Sequence, residues 1–221
     1  YALYARQDRY LTVQGTGKLE EMSYLPCSCP VCQKHTLKEL MASPDKTRLL
    51  ARHNLYVSLQ EIKQVKESIR EGSLWDLLEV RCRSHPRMLD GLRRLASKAE
   101  WLERLDTARK STFFCTSAEG SLRPEVMRYA RRIDRISLQG NVLITDDSHM
   151  DTRGYDRVLY WKPPFGPYPA ELAETYPFNA EVPEEADSSA LGQADEILQE
   201  LIHNNPDARF CIRLKQKQQS I

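Results

Sequence analysis

Three cysteines within six residues restrict this chain more than any other feature of its sequence. Cys27, Cys29 and Cys32 form a C-x-C-x2-C pattern in the segment Pro26–Cys32. Thiolates bind zinc best in tetrahedral sets of four, so three neighbouring cysteines call for one more ligand. A reduced trio without metal would be prone to oxidation and is the weaker interpretation. The pattern predicts a structural zinc site, closed to water and substrate.

Two histidines are candidates for the fourth ligand. His35 follows Cys32 after two intervening residues, and His53 follows it after twenty. We prefer His53, because a ligand at the end of a predicted helix would tie that helix to the cysteine loop. Structural zinc sites can contribute roughly 10–16 kcal/mol to folding, and loss of one ligand should remove much of that.

Composition sets the broad class. The 221 residues allow one large domain or two small ones, with 41% hydrophobic and 29% charged residues. No apolar run approaches the roughly 20 residues of a membrane span, so no membrane partner is expected. A clustered set of thiols without a secretory signal indicates a reducing, cytoplasmic setting. Because the chain opens at Tyr1 without an initiator Met, we expect it to be a piece of something longer.

Charge is balanced overall but unevenly distributed. The 32 basic and 31 acidic residues give a net charge of +1, yet residues 123–135 hold five arginines against two acids. These arginines could follow RNA phosphates, although a solvated helix face is at least as good an interpretation. Arg6 and Arg9 are further candidates for contacts with an RNA backbone.

The first half of the chain has clear helix signals. Thr36–Glu39 and Ser58–Glu61 read as capping boxes, and Ser43-Pro44 reads as an N-cap followed by a first-turn proline. Gly72 stands where a C-terminal cap belongs. A further helix is expected from about Pro86, with apolar residues on one face up to Leu102.

The second half alternates strands and helices. Strands are predicted at 111–115, 142–145, 157–161 and 209–212, and helices at 124–132 and 190–201. We therefore predict two domains, 1–105 and 106–221, of which the second is a small α/β unit.

Four segments together resemble a known family. They are Tyr1–Arg6 (YALYAR), Asp8–Thr12, Tyr24–Cys32 (YLPCSCPVC) and His53–Val57 (HNLYV). In these residues the chain resembles the archaeal tRNA-guanine transglycosylases, with the resemblance specific over roughly the first 125 residues. It implies an α/β fold: the end of a (β/α)8 barrel with a zinc-binding subdomain, followed by a small α/β accessory domain. The family's zinc ligands match Cys27, Cys29, Cys32 and His53.

The resemblance also implies an activity and partners. The family exchanges guanine 15 in the D-loop of tRNA for 7-cyano-7-deazaguanine, a step of archaeosine biosynthesis. An aspartate attacks the ribose C1′ through an oxocarbenium-like transition state and forms a covalent intermediate that the incoming base resolves. The implied partners are tRNA, 7-cyano-7-deazaguanine and an N-terminal catalytic part or subunit. Separately, Trp75, Trp101 and the helix from Pro86 carry enough apolar surface for a homodimer interface, although packing against the barrel is the preferred interpretation.

No catalytic residue carries over to this chain. In the family the nucleophile precedes the segment that matches Tyr1, and the second catalytic aspartate lies farther upstream. Asp8 matches neither, and we interpret it as a solvent-facing charge beside Arg9. The chain alone is expected to be inactive. Two alternatives remain: an archaeosine synthase paralogue that acts on the inserted base, and a non-catalytic zinc-containing tRNA-binding subunit.

Overall fold

The computed structural model describes residues 1–106 and 114–215, and the chain divides into two compact units, Tyr1–Leu89 and Asp90–Ile221. The predicted boundary between residues 105 and 106 lies farther along the chain and stays a prediction. In the structure, the helix that ends at Leu105 groups with the second unit because Glu103 on that helix forms ion pairs with Arg128 and Arg131.

The first unit combines a short hairpin with helices. Its elements are α1 (Ala2–Arg6), β1 (Arg9–Thr12), β2 (Gly15–Lys18), a 3-10 turn at Leu19–Glu21, α2 (Leu37–Ala42), α3 (Lys46–Glu71), α4 (Leu74–Cys82) and the start of α5 (Pro86–Ala96). Strands β1 and β2 pair antiparallel, with Arg9 opposite Lys18 and Thr12 opposite Gly15. The segment between the 3-10 turn and α2 carries the three clustered cysteines and contains no helix or strand.

Two of the predicted helix signals are confirmed. Thr36 caps α2 in a reciprocal capping box with Glu39. Gly72 ends α3 with a left-handed φ of 77°, which glycine adopts without strain.

Two other predicted signals are wrong. Helix α3 begins at Lys46 with Asp45 as its N-cap, not at Ser43-Pro44. Ser58 starts no helix; it lies inside α3, where its hydroxyl donates to the carbonyl of Asn54 at 2.9 Å. One 26-residue helix therefore replaces two expected ones.

The core of the first unit lies beneath the cysteine segment. Six fully or nearly fully buried side chains form it: Ala5, Tyr10, Leu19, Val31, Leu40 and Leu50. The three clustered cysteines pack against this core. Burial of these apolar groups positions α1, β1, α2 and α3 around one centre.

The second unit is built on a four-stranded mixed sheet. Its elements are the rest of α5, α6 (Ala99–Leu105), 3-10 turns at Ala118–Leu122, Ile133–Arg135 and Ala170–Leu172, α7 (Pro124–Ala130), β3 (Gly140–Thr145), β4 (Arg157–Lys162), β5 (Gly166–Pro169), α8 (Ser188–Asn204) and β6 (Ala208–Arg213). The strand order is β5-β4-β3-β6, in which β3 pairs parallel with β4 and β6, and β5 is antiparallel to β4.

Residues of the central strand form the middle of the core of the second unit. Val142 and Ile144 of β3 pack with Leu159 of β4 and with Ile197 and Leu201 of α8. At the outer edge, β5 contains Pro167 and Pro169, and the carbonyl of Pro167 accepts a hydrogen bond from the Tyr129 hydroxyl.

The predicted elements from Pro86 onward are largely confirmed, with two differences. The helix expected from Pro86 is broken after Ala96, so α5 and α6 are separate. Of the strand predicted at 111–115, residues 111–113 lie outside the described residues, and Phe114 forms an isolated bridge with Glu181. No helix of the described ranges is long and apolar enough to cross a lipid bilayer. The described elements make a mixed α/β fold, and the implied barrel stays a prediction.

Candidate metal centre

The cysteine segment is held in place by its own backbone and by one apolar anchor. Val31 is 3% exposed and inserts into the core of the first unit. The amide of Gln33 donates to the carbonyl of Cys29 at 3.0 Å, and the amide of Cys29 donates to Cys27 Sγ at 3.4 Å. The resulting turn points all three sulfurs toward α3.

The fourth group comes from α3. His53 is fully buried, and its Nδ1 lies 3.4 Å from both Cys29 Sγ and Cys32 Sγ. The ligand atoms of Cys27, Cys29, Cys32 and His53 all lie within 4.8 Å of one another. Tetrahedral zinc with Zn–S bonds of about 2.3 Å separates its sulfurs by roughly 3.8 Å, so the arrangement fits such an ion.

A hydrogen bond on the far side of the ring selects the tautomer of His53. Its Nε2 lies 3.0 Å from the carbonyl oxygen of Leu11, which can only accept. Nε2 therefore carries the proton and Nδ1 presents its lone pair to the sulfurs. Burial lowers the pKa of His53, which keeps the ring neutral and able to ligate a metal.

Tyr10 supports the same centre. Its ring stacks on the His53 imidazole with centroids 3.7 Å apart, and its hydroxyl lies 3.3 Å from Cys32 Sγ. Burial raises the pKa of the Cys32 thiol to about 12. A thiolate at this position needs a nearby cation, which a bound metal would supply.

The structure brings together one of the two candidate histidines with the cysteines. His35 is partly exposed and is not part of the cluster. The four donors provide three sulfurs and one nitrogen, the kind of set found in closed structural zinc sites. Their identity as ligands stays a prediction, but the geometry favours the choice of His53.

The part of the chain that contains this centre is similar in sequence to known proteins. The sequence model described as queuine tRNA-ribosyltransferase matches residues 1–87, which include all four candidate ligands. The tRNA-guanine(15) transglycosylase of Methanosarcina barkeri is 49% identical over 210 residues, covering 95% of this chain and 43% of that protein. The protein of the same name from Haloferax volcanii is 46% identical over 214 residues, covering 96% of this chain and 42% of that protein.

This chain is similar to the tRNA-guanine(15) transglycosylases over almost its whole length. It spans less than half the length of the curated relatives it matches. The similarity to those relatives extends past the first unit into the sheet of the second, because 95% of the chain is aligned.

Asp8, for which we predicted no catalytic role from the sequence, has a structural partner. Its carboxylate lies 2.7 Å from Lys46 Nζ at the start of α3. The residue adopts a φ of 52° at the bend between α1 and β1. The Asp8 side chain is 48% exposed, in agreement with the expected solvent-facing charge, and its carboxylate pairs with Lys46.

The arginines considered for RNA contacts differ in their surroundings. Arg128 lies 3.4 Å from a Glu103 carboxylate and 3.6 Å from that of Asp106, and Arg131 also pairs with Glu103. Arg123 is fully buried beside Glu125, at 3.5 Å. These three arginines face carboxylates within their own unit, which weakens the hypothesis that they follow phosphates.

Two residues of the centre were not predicted from the sequence. Tyr10 and Asn54 are both fully buried, and both contact elements that are remote in sequence. Asn54 bonds to backbone groups 43 to 53 residues away. The only local signal for Asn54 is its position next to His53, and a single sequence does not indicate which backbone groups an amide will meet.

Proposed function

We propose that this chain forms the metal-bearing and accessory part of an archaeal tRNA-guanine transglycosylase. Two observations support the proposal together: identity of 46–49% to proteins named for action at guanine 15 of tRNA, and the compact Cys3His cluster in the part that matches the family. The incoming base would be 7-cyano-7-deazaguanine. Work on tRNA would place the protein in the cytoplasm, where its thiols stay reduced.

The metal proposed for the cluster is Zn²⁺ in a structural site. Three thiolates and one imidazole satisfy tetrahedral zinc and leave no position for water or substrate. A bound ion would offset two of the three negative charges of the thiolates, and Cys27, Cys29, Cys32 and His53 would then tie the cysteine segment to α3. The surrounding residues position the ligands. The Leu11 carbonyl orients the imidazole of His53, and Tyr10 covers that ring and donates a hydrogen bond to the thiolate of Cys32.

The chemistry of base exchange belongs to residues outside this chain. The aspartates that the family resemblance implies match no residue of the 221, so the proposed contribution of this chain is support of the catalytic part and contact with tRNA. The names of the relatives favour exchange over the later step of an archaeosine synthase.

The first test is a base-exchange assay on the full-length protein. Purified protein should incorporate labelled 7-cyano-7-deazaguanine into tRNA and release guanine, and elemental analysis should find one zinc per chain. Replacement Cys29→Ser should lower the zinc content. Cys211→Ser is the matched control, because Cys211 lies in β6 of the second unit and contacts Tyr155 rather than the cluster.

Two results would count against the proposal. A protein that binds tRNA tightly and in a salt-dependent way but exchanges no base would favour the non-catalytic RNA-binding subunit. Equal zinc content in the wild type, Cys29→Ser and Cys211→Ser proteins would remove the metal assignment.

A further inference from the structure

Asn54 follows His53 directly in α3 and makes a set of bonds that the metal site itself does not require. Its side chain is fully buried. Oδ1 accepts from the Leu11 amide at 2.9 Å, and Nδ2 donates to the carbonyls of Arg9 at 3.0 Å and Tyr1 at 3.4 Å. One amide therefore contacts three backbone groups, in α1's N-cap residue and in β1.

The orientation of this amide follows from its partners. Carbonyls only accept and a backbone N–H only donates, so Nδ2 must face Arg9 and Tyr1, and Oδ1 must face Leu11. Neither a carboxylate nor an aliphatic side chain of similar size could make the same three bonds.

His53 and Asn54 together bond to three backbone groups on the free edge of β1. The other edge pairs with β2, and the Asp8 carbonyl continues that ladder by accepting from Leu19 at 3.0 Å. On the free edge, both backbone groups of Leu11 are used: its N–H by Asn54 and its C=O by His53 Nε2. Two consecutive helix residues thus take the place of a third strand.

We propose that Asn54 is a positioning residue that couples metal binding at His53 to the placement of α1 and β1. The inference rests on the proposed function only for the identity of the metal. A metal on Nδ1 fixes the imidazole, the imidazole fixes the Leu11 carbonyl, and Asn54 extends the same constraint to Arg9 and Tyr1. The metal centre then sets the position of the first residues of the chain as well as that of the cysteine segment.

Coupling of this kind is reciprocal. If the metal stabilises the bonded arrangement of β1, then loss of that arrangement must weaken metal binding by the same factor. Partners of metal-bound histidines change metal affinity by about 10- to 100-fold when they are lost. Asn54 acts one bond farther away, through Leu11, so we expect a change of about tenfold, at the lower end of that range.

The experiment compares Asn54→Asp with Asn205→Asp in the full-length protein. Asp keeps the acceptor for Leu11 but replaces the donor to Arg9 and Tyr1. Asn205 is the matched control, because it is also a buried asparagine that bonds to backbone groups but lies in the second unit. It is 4% exposed, accepts from the Leu138 amide and donates to the Leu201 carbonyl. Co²⁺, whose absorbance reports thiolate coordination, is titrated into each metal-free protein. Asn54→Asp should bind Co²⁺ about tenfold more weakly, and Asn205→Asp should bind it like the wild type.

A second measurement needs no variant. Hydrogen exchange of the wild-type protein is followed before and after zinc is removed with a chelator. Amides of α1 and β1 should lose protection together with the cysteine segment, while those of β3 in the second unit keep theirs. Unchanged protection of β1, or wild-type Co²⁺ affinity in a folded Asn54→Asp protein, would overturn the proposal.

An activity measurement separates this inference from the proposed function. In zinc-saturated full-length protein, Asn54→Asp should lower kcat of base exchange and leave KM for tRNA unchanged, as expected of misplacement rather than lost substrate contact. Equal kcat in the two proteins would contradict the inference. If the wild type shows no exchange, the proposed function fails, and the Co²⁺ and hydrogen-exchange results still decide on Asn54.

Discussion

Replacing His53 with alanine tests the metal centre, because its effect separates into two parts. One part does not depend on metal: the Leu11 carbonyl loses its donor and Tyr10 loses the ring stacked on it at 3.7 Å. An unsatisfied buried acceptor costs about 1–3 kcal/mol and an aromatic stack about 0.5–1.5 kcal/mol. His53→Ala should therefore lower the free energy of unfolding of the metal-free protein by about 2–4 kcal/mol.

The second part appears only with zinc. If a structural site contributes roughly 10–16 kcal/mol, an equal share for each of four ligands sets a minimum of about 3–4 kcal/mol for the loss of one. The total effect in the presence of zinc is then at least about 5–8 kcal/mol, which is comparable to the whole stability of a small domain. The first unit of the variant should be close to unfolded at room temperature.

The assay is urea unfolding with zinc and with a chelator, followed by the fluorescence of Trp75. This tryptophan is 7% exposed in the first unit and donates to Glu79 at 2.7 Å. Trp101 and Trp161 are replaced by phenylalanine in all proteins to isolate its signal. His35→Ala is the control, because His35 lies in the same segment outside the cluster. The same loss of stability in His53→Ala with and without zinc, or an equal effect of His35→Ala, would refute the assignment.

Three further predictions concern local structure. Thr36 donates from its amide and hydroxyl to Glu39, which lowers the pKa of that carboxyl. The capping box should therefore be intact above the ordinary pKa of glutamate and be lost as the pH falls through the lowered pKa of Glu39. In an NMR titration, Thr36→Ala should return the Glu39 pKa toward its ordinary range. Gly166→Ala should lower the free energy of unfolding by about 2 kcal/mol or more, because φ is 71° and the new Cβ would lie 2.7 Å from the Ala194 carbonyl oxygen. Gly192→Ala, in α8 with nothing within 4 Å of the new Cβ, should instead raise it by about 0.5–1 kcal/mol, as calorimetry would show.

Local sequence signals predicted some helix ends and failed at others for a physical reason. Thr36 and Gly72 act within one turn of their own helices, and both predictions are confirmed. Ser58 carries the same type of capping signal, but α3 is packed on both sides of it, with His53 and Asn54 buried before it and Ser68 buried after it, and the helix runs through. Tertiary packing overrides a local preference worth about 1 kcal/mol.

For the candidate site, too, some features could be predicted from the sequence and others could not. The spacing of the cysteines predicted a metal cluster by itself, because thiols so close together have few other uses. His53 was preferred to His35 because it was expected at the end of a helix, and the resemblance agreed with that choice; in the structure His53 lies inside α3, not at its end. The contacts of Tyr10 and Asn54 could not be predicted, because they join β1 to residues more than twenty positions away.

The prolines of β5 limit how this protein can self-associate. A foreign strand that adds to a sheet needs backbone donors along the exposed edge, and Pro167 and Pro169 have none to offer. The carbonyl of Pro167 is already bound by the hydroxyl of Tyr129. Fibril-like growth is therefore blocked on the β5 side of the second unit, and any intermolecular extension of this sheet would have to begin at β6.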